Sequence, residues 1–325
     1  MKRNGMGKTV DVAIVGAGPI GLACAIEARR RGLRCLVLEK GCLVNSIYRY
    51  PRNMRFFSTP DLLELGGAPF VCQGEKPTRA EALEYYRRIA ISFDLPVRCY
   101  EKVLAIEGED GAFRLRTDKG AYGARKAILA IGYFDRPRLL GVPGENLPHV
   151  SHYYEEAHPF CGQDLLIVGG GNSAVDAALE CRRRGARVAL AIRDADFHRG
   201  LKYWVRPDIE NRIRAGEIEC HFETTVREFR PGAATLESRE RGLFERKADF
   251  VLALTGYEPD FGFLQAAGVR IGKDKDRTPR ASKKTWETNR PGVHLAGVVV
   301  GGMCTDKWFI ENSRAHARAI FDSFG

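Results

Sequence analysis

No stretch of this 325-residue chain is apolar for long enough to cross a bilayer: the runs at residues 127–131 and 295–300 fall far short of the roughly 20 residues a spanning helix needs. The start, residues 1–8, is polar and basic and has no apolar segment of signal-peptide length, so the expectation is a soluble, cytoplasmic protein. There is no Cys-x-x-Cys pair, which excludes a redox relay built on one. Nine cysteines at scattered positions, an odd count, do not make a disulfide framework and suit a reducing cytosol. Acidic side chains are short as well, 41 against 51 basic ones, leaving a net charge of +10 that favours anionic partners. No aromatic-basic cluster or helix-turn-helix signal accompanies that charge, and no nucleic-acid partner is expected. Arginine runs such as Arg29-Arg30-Arg31 and Arg182-Arg183-Arg184 fall where helices should end, next to the negative pole of the dipole.

What the chain does have is length for about two domains and an ordinary globular composition, 44% hydrophobic and 28% charged. Residues 10–15 (VDVAIV) predict a strand that leads into Gly16-Ala17-Gly18-Pro19-Ile20-Gly21, and the helix-like residues 22–31 follow. In a strand–turn–helix unit the first glycine makes the tight turn, the second lets a pyrophosphate approach the backbone, and the third lets helix pack on strand. The helix N-terminus adds unpaired N–H groups and a positive dipole end. A second strand, residues 34–38, delivers Glu39 at the distance, about 20 residues on, where a carboxylate accepts hydrogen bonds from an adenosine ribose.

The pattern recurs. Residues 164–168 (DLLIV) lead into Gly169-Gly170-Gly171-Asn172-Ser173-Ala174, then a helix to Arg184 and a strand at residues 187–192. At the end of that strand Arg193 stands near the place where the first copy has Glu39, and His198, Arg199 and Lys202 follow. A guanidinium in place of a carboxylate favours a ribose carrying a 2′-phosphate. The first site is therefore expected to bind FAD and the second NADPH.

The paired motifs resemble the two-dinucleotide flavoprotein reductases of the thioredoxin-reductase type, with Leu129-Ala130-Ile131-Gly132-Tyr133 and Leu254-Thr255-Gly256-Tyr257 in place of their two hinge strands and Ala296-Gly297 in their final flavin-contacting strand. In detail the sequence is similar to the bacillithiol-disulfide reductase family, YpdA type, in segments such as Val44-Asn45-Ser46-Ile47-Tyr48, His152-Tyr153-Tyr154 and Phe309-Ile310-Glu311-Asn312. The resemblance implies an α/β fold of two Rossmann-like, three-layer dinucleotide-binding domains. An FAD domain, residues 1–133 and 257–325, is discontinuous around an NADPH domain, residues 134–256. To the motif residues it adds Lys40, Asn45, Ser46, Gly132 and Gly297 as FAD contacts, hinges near residues 132 and 256, and homodimerisation. It also implies the function: hydride passes from NADPH through FAD to a low-molecular-weight disulfide such as bacillithiol disulfide.

Three departures bear on that chemistry. Where the thioredoxin-type proteins carry their redox cysteines, this chain has His152 and Glu155. Val298 replaces the aspartate that usually follows Ala-Gly, and Ile20 stands where many members of the closer family carry a cysteine. The flavin is then the redox centre, and Cys304, expected just before a final helix from about residue 306, is the remaining candidate catalytic thiol because a helix N-terminus lowers a thiol pKa. Two pairs, His149-x-x-His152 and His158-x-x-Cys161, have ligand-like spacing but lie in the interdomain segment of the pattern, and no metal is expected. Two alternatives share the glycine motifs. A ferredoxin- or flavodoxin-NADP reductase would use the basic surface to meet an acidic redox protein, and a flavin monooxygenase would need a fingerprint that residues 142–149 only partly match.

Overall fold

The computed structural model describes residues 7–324, so the opening stretch read as free of a targeting signal lies mostly outside the described residues. Two units divide the chain, one running to Arg136 and resuming at Tyr257, the other being Pro137–Gly256. Residues 134–136 go with the first unit because the Glu258 N–H donates to the Arg136 carbonyl at 2.9 Å and the Phe134 ring packs on Tyr257 at 4.4 Å.

The first unit begins β1 (Gly7–Val15), α1 (Pro19–Arg30), β2 (Cys35–Leu38), α2 (Asn45–Tyr48), α3 (Pro60–Leu63), α4 (Arg79–Ser92), β3 (Val97–Arg98), β4 (Val103–Glu107), β5 (Phe113–Thr117) and β6 (Ala121–Leu129). The second unit contributes β7 (Val150–Ser151), β8 (Asp164–Val168), α5 (Asn172–Arg183), β9 (Arg187–Ala191), α6 (Arg206–Arg214), β10 (Glu219–His221), β11 (Thr224–Arg230), β12 (Ala233–Ser238), β13 (Gly242–Lys247) and β14 (Phe250–Ala253). The first unit then closes with α7 (Phe261–Ala266), β15 (Val293–Leu295), α8 (Ile310–Ser313) and α9 (Ala315–Asp322).

In the first unit the sheet order is β3-β2-β1-β6-β5-β4, with β15 paired in parallel to the last residues of β6. The period-2 alternation of β1 shows directly in the packing. Val12 and Ile14 join α1, α4 and α9 on one face, while Ala13 and Val15 join α7 and the antiparallel β4–β5 ribbon on the other. The second unit repeats the scheme with the parallel order β10-β9-β8-β14-β7. Leu165 and Ile167 face α5 and α6, and Leu166 and Val168 face the separate antiparallel sheet β11-β12-β13. Each unit is thus three-layered, as expected, although the outer layer of the second is a β-sheet that the sequence reading did not anticipate.

Function follows from the strand orders. β1 lies between β2, the strand that follows it in the chain, and β6, and β8 lies between β9, which follows it, and β14, so the strand order reverses beside each of them. The carboxyl ends of β1 and β8 are topological switch points, where an open α/β sheet has its crevice.

Candidate active site

The turn after β1 is closed by contacts that leave no room for side chains. Gly16 has φ +105°, and a Cβ there would overlap the Ala130 carbonyl oxygen just beyond β6. A Cβ on Gly21 would overlap the Gly16 carbonyl oxygen, so the third glycine is needed by the turn itself as well as by the strand, whose Ile14 side chain is 3.6 Å away. Gly18 differs: its φ of −70° suits any residue, and nothing lies within 4 Å of the position a Cβ would take. That open space lies over the start of α1, where Pro19 at the first position removes one unpaired N–H and leaves those of Ile20 and Gly21 for an anion.

Glu39 lies immediately after β2 and is buried, with Oε2 accepting from the Ala17 N–H at 2.9 Å and Oε1 from the Gly41 N–H at 2.8 Å. Burial pushes its pKa above the ordinary glutamate value, and the two N–H donors only partly offset that. Each carboxylate oxygen keeps a second acceptor position for a ribose hydroxyl. The next segment folds over the turn through the Val44 N–H, which donates to the Ala17 carbonyl at 3.1 Å, and so brings Asn45 and Ser46, at the start of α2, to this site. Lys40 is held by Asp135 at 2.8 Å. Gly132 has φ +64° beyond the end of β6. Gly297, φ +87°, abuts Ile20, whose side chain is 3.3 Å from a Cβ placed on it.

The second turn uses the same device. Gly169 has φ +135°, and its Cβ would come within 2.5 Å of the Leu254 carbonyl just beyond β14. Gly171, like Gly18, faces open space at the start of a helix, α5. Ala174 stands where α1 has Gly21 and is fully buried at the first turn of α5. Asn172 has a use the sequence did not reveal: its side chain donates to the Gly200 carbonyl at 3.0 Å and accepts from the Lys202 N–H at 2.8 Å, pinning the following loop to the helix start beside Ser173. The His198 N–H donates to the Gly170 carbonyl at 3.0 Å, which sets Arg199 next to the turn, exposed. Arg193 is 78% exposed, with Asp194 at 3.3 Å beside it. Lys202 departs from expectation. Its ammonium is bound to Asp176 at 2.7 Å and is not free for a phosphate.

The sequence pattern of the pyridine nucleotide-disulphide oxidoreductases matches residues 13–297. This chain belongs to that family. The match takes in both glycine turns and Gly297. Over 308 residues the chain is 41% identical to the bacilliredoxin reductase Bdr of Bacillus subtilis (strain 168), covering 94% of this chain and 95% of that one. It is also similar to two solved structures. For the bacillithiol disulfide reductase Bdr (YpdA) of Staphylococcus aureus, identity is 37% and the TM-score 0.94, covering 98% of each chain. For that of Bacillus cereus, identity is 38% and the TM-score 0.94, covering 97% of this chain and 98% of that one. This pyridine nucleotide-disulphide oxidoreductase is therefore an enzyme of redox chemistry, and the state of its thiols is the next question.

All nine cysteines are free. Burial pushes Cys35 up to about 11 and Cys181 and Cys220 up to about 12, and Cys24 is pushed up further still. None of these four is a thiolate at neutral pH. Cys304 corrects an expectation. The chain beyond it does not enter a helix until α8, which opens at Ile310, so no helix N-terminus stabilises its thiolate. Its Sγ instead lies 3.4 Å from Asp306 Oδ1, and burial, followed by that carboxylate, pushes the thiol pKa up. At the place where thioredoxin-type proteins carry their cysteines, His152 sits 3.5 Å from Glu145 Oε1 and 3.2 Å from the Ala253 carbonyl. Among the described residues no three His, Cys, Asp or Glu side chains are grouped to hold a metal, and no helix is long and apolar enough to cross a membrane.

Proposed function

We propose that this protein is an FAD-dependent reductase that takes reducing equivalents from NADPH and delivers them to a low-molecular-weight disulfide such as bacillithiol disulfide, with no cysteine pair of its own. The observation that carries this reading is the unlike pair of glycine turns at the two switch points, one backed by a buried carboxylate and the other by an exposed guanidinium. The relatives' names supply the disulfide, and the name bacilliredoxin reductase adds a redox protein as a second acceptor. A net charge of +10 suits an acidic one.

Gly16, Gly18, Pro19, Ile20 and Gly21 cradle the pyrophosphate of FAD, and Glu39 takes the adenosine ribose. Asn45, Ser46, Gly132 and Gly297 line the rest of that site, and Lys40 acts through Asp135 rather than as a free cation. Gly169, Gly171, Asn172, Ser173 and Ala174 form the matching cradle for NADPH, with Arg193, His198 and Arg199 for its 2′-phosphate. FAD, when bound, supplies the two-electron chemistry, accepting hydride and reducing the disulfide to two thiols. The glycines at residues 132 and 256, both with positive φ, absorb the rotation that exchanges what faces the flavin. The working form is a cytoplasmic homodimer, to be checked by light scattering.

Assays with NADPH, and separately with bacillithiol disulfide, a bacilliredoxin carrying bacillithiol, ferredoxin and oxygen, test the function. Reduction of the disulfide supports it; preference for ferredoxin, or oxygenation of a product, overturns it. Cys304→Ala is expected to retain disulfide reduction within about twofold, because a thiol with a raised pKa is not a nucleophile at neutral pH.

Arg193→Ala should lower kcat/KM for NADPH on the order of tenfold and leave that for NADH nearly unchanged. The effect sits at the low end for a charge-assisted contact because Asp194 competes for the guanidinium. Equal losses with both nucleotides would remove Arg193 from the 2′-phosphate site.

A further inference from the structure

His316 lies in the first turn of α9, 2% exposed, with its ring 3.9 Å from that of Trp286 at 30° and 4.7 Å from that of Trp308 at 71°. Its Nδ1 accepts from the Gly297 N–H at 3.2 Å. An acceptor at Nδ1 fixes the tautomer: Nε2 carries the proton, and that atom is buried with no hydrogen-bond partner among the described residues. A phenylalanine or leucine would fill the same space without leaving a buried donor unpaired, so the packing alone does not account for an imidazole. Burial keeps the ring neutral, with its pKa pushed down to about 4, so it stays an acceptor across the physiological range.

The peptide it holds is unusual. Gly297 combines φ +87° with ψ −161°, a conformation essentially confined to glycine, at the point where β15 gives way to the short 3-10 turn Val298–Gly301. On its other side Gly297 rests against Ile20 in the first turn of α1. A chain of contacts thus runs from α9 through His316 and Gly297 to the glycine turn after β1.

We propose that His316 is a positioning residue of the flavin site, fixing the Gly297 peptide through Nδ1 and through it the backbone that meets FAD. This rests on the assignment of FAD to the first unit. The imidazole itself exchanges no proton or electron in the reaction.

Two variants separate this role from packing. His316→Phe keeps an aromatic ring and removes the acceptor, whereas His316→Asn returns an oxygen to the position of Nδ1. FAD is titrated into apoprotein by absorbance, the visible circular dichroism and midpoint potential of the bound flavin are recorded, and the apoprotein is melted. The expected result for His316→Phe is an FAD affinity lowered about tenfold with altered flavin dichroism, and for His316→Asn recovery of most of both. Flavin affinity, dichroism and potential unchanged in His316→Phe, or His316→Asn indistinguishable from it, would overturn the proposal. If His316→Phe does not fold, His316→Gln replaces it, since its oxygen lies one carbon too far, and Asn and Gln behaving alike would then be decisive against the role. Wild-type protein that takes up no FAD overturns the cofactor assignment itself, and this role with it.

Discussion

Gly21→Ala is expected to destabilise the first unit strongly, whereas Gly18→Ala is expected to leave it folded but weaken its hold on FAD. The new Cβ at Gly21 would overlap the Gly16 carbonyl oxygen, and Gly16 has little room to move aside: it is held at φ +105° where even a Cβ of its own would overlap the Ala130 carbonyl oxygen. An overlap between backbone atoms is relieved only by separating α1 from β1 and β6, at a cost of about 3 kcal/mol or more. For a unit of this size the melting temperature should fall on the order of 10 °C. At Gly18 the backbone is already in an ordinary extended conformation and a methyl group meets nothing within 4 Å. It would instead occupy the space over the Ile20 and Gly21 N–H groups, displacing charge-assisted hydrogen bonds worth about 1.5–3 kcal/mol each, so FAD affinity should fall by about a hundredfold or more. Melting and flavin titration of the two apoproteins separate these outcomes. Gly18→Ala with undiminished flavin affinity would mean that the pyrophosphate lies elsewhere. Gly171→Ala, also facing open space, should do to NADPH what Gly18→Ala does to FAD.

The sequence carried the parts of the fold that are dictated locally. A β-branched run, a turn that only glycine can make and a helix start stand within a dozen residues of one another, so β1–α1 and β8–α5 were readable to within a few positions. Glu39 was readable because its spacing from the turn is set by one helix and one strand. What escaped depends on partners distant in sequence. Lys202 looks like a phosphate ligand until Asp176, on the outer side of α5, is found beside it. Cys304 looks like an activated thiol until the chain is seen to continue past it without helix as far as Ile310. His316 carries no motif, and nothing short of the fold brings α9 to Gly297. The antiparallel sheet β11-β12-β13 was missed because its strands, such as TTVREFR and GLFERK, are too polar on one face to stand out as core.

Glu39→Gln, a change of one atom, is expected to damage both stability and cofactor binding. Each carboxylate oxygen accepts a backbone N–H, one from Ala17 and one from Gly41, so the amide nitrogen of glutamine must face one of these donors. The buried N–H left without an acceptor costs about 1–3 kcal/mol. The same substitution removes an acceptor for the ribose, and FAD affinity should drop by roughly tenfold to a hundredfold. The pH dependence gives a sharper signature. Because burial raises the pKa of Glu39 in the apoprotein, the folded chain holds this proton more tightly than the unfolded one, and the group's contribution to apoprotein stability declines as pH rises through its folded pKa. Ribose hydroxyls donate to the ionised form and reverse the preference, so FAD should bind the wild-type apoprotein more weakly as pH falls toward that raised value. The glutamine variant has no proton to exchange there, and its affinity should be flat over the same range. A wild-type affinity equally flat in pH would show that the hydroxyls do not reach this carboxylate.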